Sequence, residues 1–134
     1  GSIMTALDGA ARGTAPIHLE LKGVGVFPNL QRVQVVWVGL AGEIDKLTRL
    51  QQAIETGLKP LGFKPESRPF TPHLTLARLR DQAKPAERKQ LGQLIGSTVF
   101  EGGSFQATSI SLMKSQLTAG GAIYSRLGAA GLRA

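Results

Sequence analysis

In the run Pro72-His73-Leu74-Thr75-Leu76-Ala77-Arg78, a histidine and a threonine stand two residues apart, framed by prolines and arginines. A neutral imidazole with an unperturbed pKa of about 6.5 exchanges a proton near neutral pH. A threonine hydroxyl donates a hydrogen bond to an anionic oxygen held beside such a ring. On a strand, the period of two puts His73 and Thr75 on one face and Leu74 and Leu76 on the other, so one face can do chemistry while the other is buried. The pair makes half of a phosphoryl-transfer site. Displacement at a phosphodiester needs a base for the attacking oxygen and an acid for the leaving one, and one histidine supplies only one of these. Arg68, Arg78 and Arg80 bracket the pair and offer bidentate contacts to phosphate. In an ideal strand, however, Arg78 falls on the face of Leu74 and Leu76. It reaches the phosphate only if the strand ends, twists or bulges after Leu76.

The elements that must position this run are legible from periodicity. Gly1-Ser2 resembles a scar left by tag removal and carries no fold information. Ile3, Met4, Leu7 and Ala11 have helical spacing, with no clear capping residue before them. Ile17, Leu19 and Leu21 then alternate with His18, Glu20 and Lys22, which predicts a half-buried strand. Gly23 to Asn29 reads as a strand end and turn. Its two glycines are spaced as in a phosphate loop, but neither a third glycine nor a helix start follows. Val33 to Gly39 is nearly continuous in β-branched residues and Trp, the pattern of a covered, central strand. From Glu43 the period changes: Ile44, Leu47, Leu50, Ile54 and Leu58 form the stripe of an amphipathic helix of about four turns, ending near Gly57 to Pro60. Pro85 marks the first turn of a shorter second helix, with Leu91, Leu94 and Ile95, that ends before Gly96. Glu101 to Ser104 is expected as a turn, Phe105 to Leu117 as one long strand, and Ala122 to Leu127 as its hairpin partner across Thr118 to Gly121. The order helix, β, β, α, β, α, β, β predicts an α+β fold, and the chain length of 134 residues suits a single domain over 1–134.

Sixteen Lys and Arg against nine Asp and Glu give a net charge of +7 and a pI near 10.4. Such a surface attracts polyanions, of which nucleic acid is the commonest inside a cell. Seven aromatic residues, five Phe, one Trp and one Tyr, are too few for an extended base-stacking platform but enough for one or two nucleotides. The chain has no cysteine, and its two histidines lie far apart in sequence, so neither disulfides nor a zinc site is expected. No apolar run approaches the roughly 20 residues that span a bilayer. The expected class is a soluble cytoplasmic protein without a membrane partner.

Pro72-His73-Leu74-Thr75-Leu76-Ala77-Arg78 resembles the second His-x-Thr-x signature of the 2H phosphoesterases. More narrowly, it resembles that of the 2'-5' RNA ligase, or RNA 2',3'-cyclic phosphodiesterase, family. Lys22 to Asn29, Val35 to Gly39, Gly62-Phe63, Glu66 to Phe70, Ser115-Gln116-Leu117, Gly121 and Tyr124 follow in family order, so the resemblance runs through nearly the whole chain. It implies a two-lobed antiparallel α+β fold with one His-x-Thr-x strand per lobe and a central cleft for a nucleotide cyclic phosphate. His73 becomes the catalytic histidine of the second motif and Thr75 its phosphate-binding hydroxyl. Arg78 becomes the substrate-contacting arginine and no metal or cofactor is implied; Arg68 is expected to bind substrate from its charge and place beside the pair. One histidine would activate water while the other protonates the leaving ribose oxygen, opening a 2',3'-cyclic phosphate to a 2'-phosphate.

The first His-x-Thr-x has no counterpart here. His18-Leu19-Glu20-Leu21 has the histidine but a glutamate where the hydroxyl belongs, and a carboxylate repels phosphate; His18 is expected to be an exposed strand histidine. The resemblance therefore implies an N-terminally incomplete domain, weak or inactive alone, whose exposed face favours self-association. A non-catalytic RNA-binding or interaction module of the same fold is the alternative.

Overall fold

The chain runs α1 (Ser2–Ala11), β1 (Ile17–Phe27), β2 (Val35–Gly42), α2 (Ile44–Leu58), β3 (His73–Arg78), α3 (Pro85–Gly96), β4 (Glu101–Ala107), β5 (Ser109–Thr118) and β6 (Gly121–Gly131), as seen in a computed structural model that describes residues 1–67 and 69–134. A single 3-10 turn, Lys59–Leu61, follows α2 and ends at Gly62 in the left-handed region, with φ of 96°. The fold is mixed α+β and its sheets are antiparallel. The described residues divide into two compact units: Gly1–His18, Glu43–Pro69 and Gln106–Ala134 form the first, Leu19–Gly42 and Phe70–Phe105 the second.

In the first unit α1 packs on α2 and on the β5–β6 hairpin. The helical stripe read from the sequence points inward at Leu7 and Ala11, and Leu50 of α2, with Ile17, Ala130 and Leu132, completes the core. Gly57 lets α2 approach Ala6, where an added Cβ would stand 3.4 Å from the alanine Cβ. Asp8 pairs with Arg12 at 3.0 Å and with Arg133 at 3.3 Å, tying the chain's last residues to α1. The side chain of Glu43, just before α2, accepts the His18 backbone N–H at 2.7 Å and pairs with Lys46 at 2.7 Å. The hairpin's far half leaves Leu117 at 85 % and Tyr124 at 66 % exposure.

The second unit holds the sheet, in the order β3-β2-β1-β4. β2 is interior, as its β-branched run predicts, and buries Val36 and Val38. Each valine so placed contributes about 1.5–2 kcal/mol relative to an exposed one. β1 does not end at its glycines. It runs on to Phe27 through a β-bulge between Leu21 and Val24, where Gly23 takes a φ of 83°. Gly39 opposite accommodates the bulge, since a Cβ there would stand 2.7 Å from the Lys22 carbonyl oxygen. The expected turn at Glu101 to Ser104 is instead the start of β4, and the long strand from Phe105 is broken between Ala107 and Ser109. Gly102 is a packing residue: a Cβ on it would stand 2.8 Å from the Cβ of Leu21. α3 lies so close to Leu30 that a Cβ on Gly92 would collide with the Leu30 carbonyl.

Candidate active site

β3 meets β2 in the pairs Gly39↔His73, Val38↔Leu74, Trp37↔Thr75, Val36↔Ala77 and Val35↔Arg78. Directly opposed residues of an antiparallel pair share a face. His73 and Thr75 therefore stand together on the face of Trp37 and Gly39, as the period of two predicts. Between Thr75 and Ala77, β3 advances two residues while β2 advances one, so Leu76 is the extra residue of a β-bulge. The bulge resets the alternation and brings Arg78, opposite Val35, to the face of His73 and Thr75. The irregularity that the sequence demands of Arg78 is present.

The opposite face departs from expectation. Leu74 and Leu76 are 46 % and 62 % exposed, while Val36 and Val38 beside them on β2 are 7 % and 5 % exposed. β3 is the edge strand, and the cover over that face ends at β2.

His73 is half-buried in an aromatic corner. Its ring meets Phe27 edge-on, with centroids 5.2 Å apart and an interplanar angle of 83°, and lies 6.1 Å from the Trp37 ring. Its Nδ1 is 2.6 Å from the Thr71 carbonyl oxygen. A carbonyl only accepts, so Nδ1 carries the proton and, in the neutral ring, Nε2 carries the free lone pair. Nε2 is thus the ring atom that can take or give a proton. Thr75 presents an exposed hydroxyl and Arg78 an exposed guanidinium; among the described residues Arg78 has no carboxylate partner. An imidazole, a hydroxyl and a free cation on one face can hold a phosphate dianion and move one proton.

Trp37, read from the sequence only as a strand residue, is the floor of this corner. Its indole lies across β1 over Gly25, where any Cβ would collide with it, and stacks obliquely on Phe27 at 5.4 Å. Its Nε1–H is buried with no acceptor among the described residues. Beyond it opens a groove of about 590 Å³ bordered by Val24, Val26, Asn29, Leu30 and Thr98. The signal for Trp37 was in the sequence: a glycine in the partner strand opposite a large aromatic marks a ring laid across the sheet.

Arg68 lies outside the described residues. His18 is exposed, as expected, and belongs to the first unit. Among the described residues no cluster of His, Cys, Asp and Glu gathers around a metal position, and no helix is long and apolar enough to cross a membrane.

The sequence pattern of the 2'-5' RNA ligase superfamily matches residues 2–119. The chain belongs to that superfamily. It is 36 % identical over 115 residues to an RNA 2',3'-cyclic phosphodiesterase of Methanothermobacter thermautotrophicus, covering 85 % of this chain and 60 % of that protein. It is 39 % identical over 110 residues to an RNA 2',3'-cyclic phosphodiesterase of Aeropyrum pernix, covering 82 % of this chain and 61 % of the relative. The chain thus spans about 60 % of the length of these superfamily relatives. Among solved structures, TT0787 of Thermus thermophilus superposes with a TM-score of 0.76 at 27 % identity, over 98 % of this chain and 69 % of that one.

Proposed function

We propose that His73, Thr75 and Arg78 form one half of an RNA 2',3'-cyclic phosphodiesterase site. The observation that carries this reading is the Leu76 bulge, which sets a fixed-tautomer imidazole, a hydroxyl and a guanidinium with no carboxylate partner among the described residues on one face. The substrate is RNA or a nucleotide ending in a 2',3'-cyclic phosphate. Water attacks phosphorus, the bond to the ribose 3'-oxygen breaks, and a 2'-phosphate remains. Nε2 of His73 supplies one of the two proton transfers, and a second proton-transfer residue supplies the other. Thr75 and Arg78 bind the non-bridging oxygens as charge builds on them. The +7 charge draws the polyanion to the protein.

The test is hydrolysis of adenosine 2',3'-cyclic phosphate, followed by phosphorus NMR in a chain extended to the full length of its relatives. His73→Ala lowers the rate by about a hundredfold or more. Equal rates in the two proteins would remove His73 from the mechanism. The second reading, a non-catalytic RNA-binding module, draws on the same charge. It predicts salt-sensitive RNA binding that does not distinguish a cyclic from an open end.

A further inference from the structure

Arg88, in the first turn of α3, is half-buried and donates to three backbone carbonyls. Nη1 reaches Val33 at 2.7 Å, Nη2 reaches Arg80 at 2.9 Å, and Nε reaches Ala83 at 3.2 Å. Val33, fully buried, lies just before β2; Arg80 and Ala83 lie just after β3. One guanidinium therefore ties the entrance of one strand to the exit of its neighbour. Backbone bonds from Leu79 N–H to Gln34 at 2.8 Å and from Ala83 N–H to Arg80 at 3.0 Å close the same corner.

The register at this end of the strand pair sets the face on which Arg78 stands. Regular pairing continued from Trp37↔Thr75 would set Leu76 against Val36 and Ala77 against Val35, and Arg78 would pass to the opposite face. The two registers differ by one residue, or about 3.3 Å of strand. The bulged register leaves one residue unpaired and locally disrupts the ladder, so contacts outside the ladder can bias it. A slip of that length would pull the Arg80 carbonyl out of reach of Nη2 while Nη1 stayed on Val33. We propose that Arg88 is a positioning residue of the phosphate site, holding the bulged register and so keeping Arg78 beside His73 and Thr75. This rests on the phosphate-site reading above.

The probe is adenosine 2'-monophosphate, titrated calorimetrically into this chain. Arg88→Lys keeps the charge, but one nitrogen cannot span three carbonyls. Its affinity falls about tenfold, to that of Arg78→Ala, and the double variant binds no more weakly than Arg78→Ala alone. Deleting Leu76 gives regular pairing with Arg78 opposite Val35 already, so in that background Arg88→Lys has no effect. Additive losses, or a loss that persists without Leu76, overturn the proposal. If Arg88→Lys does not fold, recovery of the fold on deleting Leu76 supports the proposal and lack of recovery overturns it. If Arg78→Ala leaves the affinity unchanged, the phosphate reading fails. The register is then read from hydrogen exchange at the Leu79 amide: faster exchange in Arg88→Lys supports the positioning role and unchanged exchange overturns it.

Discussion

The position of one proton decides what His73 can do. With Nδ1–H committed to the Thr71 carbonyl, the ring offers Nε2 without having to select a tautomer, and the orientation comes from backbone that no substitution removes. Thr75 has no such redundancy. Thr75→Val keeps the shape and removes the donor, so calorimetry should show adenosine 2'-monophosphate binding about tenfold more weakly, while Thr75→Ser retains the wild-type affinity. Equal affinity for the valine variant would leave Thr75 without a part in phosphate binding. The shared face of His73 and Thr75 was legible because a spacing of two fixes it on any strand. The face of Arg78 was not legible, since alternation alone sends it to the opposite one and a bulge leaves no mark in composition. Arg88 was invisible: an arginine bonded only to carbonyls 5, 8 and 55 residues away looks, in sequence, like a surface charge.

At the scale of elements, glycines divide what could be read from what could not. Gly23 and Gly25 read as loosening a strand, yet β1 continues through both, because one serves a bulge and the other clears space for an indole. Gly102 and Gly103 read as a turn, but Gly102 is pressed against Leu21 within β4. A glycine needed for close approach and a glycine needed for positive φ are the same letter. The helices carry no such ambiguity, and α2 and α3 fall where their periodicity and the first-turn proline put them. Gly25→Ala separates the two uses. Because the added methyl collides with the Trp37 ring, urea unfolding should show a loss of about 1–3 kcal/mol, with weakened nucleotide binding as the floor under His73 shifts. A stable Gly25→Ala chain with intact binding would show that the indole has room to move.

At the scale of the whole chain, two carboxylates link distant segments of the first unit. Asp8 is held below its ordinary range first by the hydrogen bond from Arg133, with Arg12 adding to it; Glu43 is held low first by Lys46 and then by the His18 backbone N–H. A carboxylate whose folded pKa is depressed contributes stability above its unfolded pKa and loses it as pH falls through the folded value. The window therefore opens below about pH 4. Thermal unfolding from pH 7 to 2.5 should show the Asp8→Asn, Glu43→Gln double variant losing less melting temperature on acidification than the wild type. Parallel curves would show that neither pair is coupled to folding. Trp37, finally, is the only tryptophan in the sequence, and its ring lies 6.1 Å from that of His73. The chain's tryptophan fluorescence is therefore emitted entirely from beside His73. An imidazolium quenches a neighbouring indole more strongly than a neutral imidazole does, so the protein carries its own optical reporter of the charge on His73.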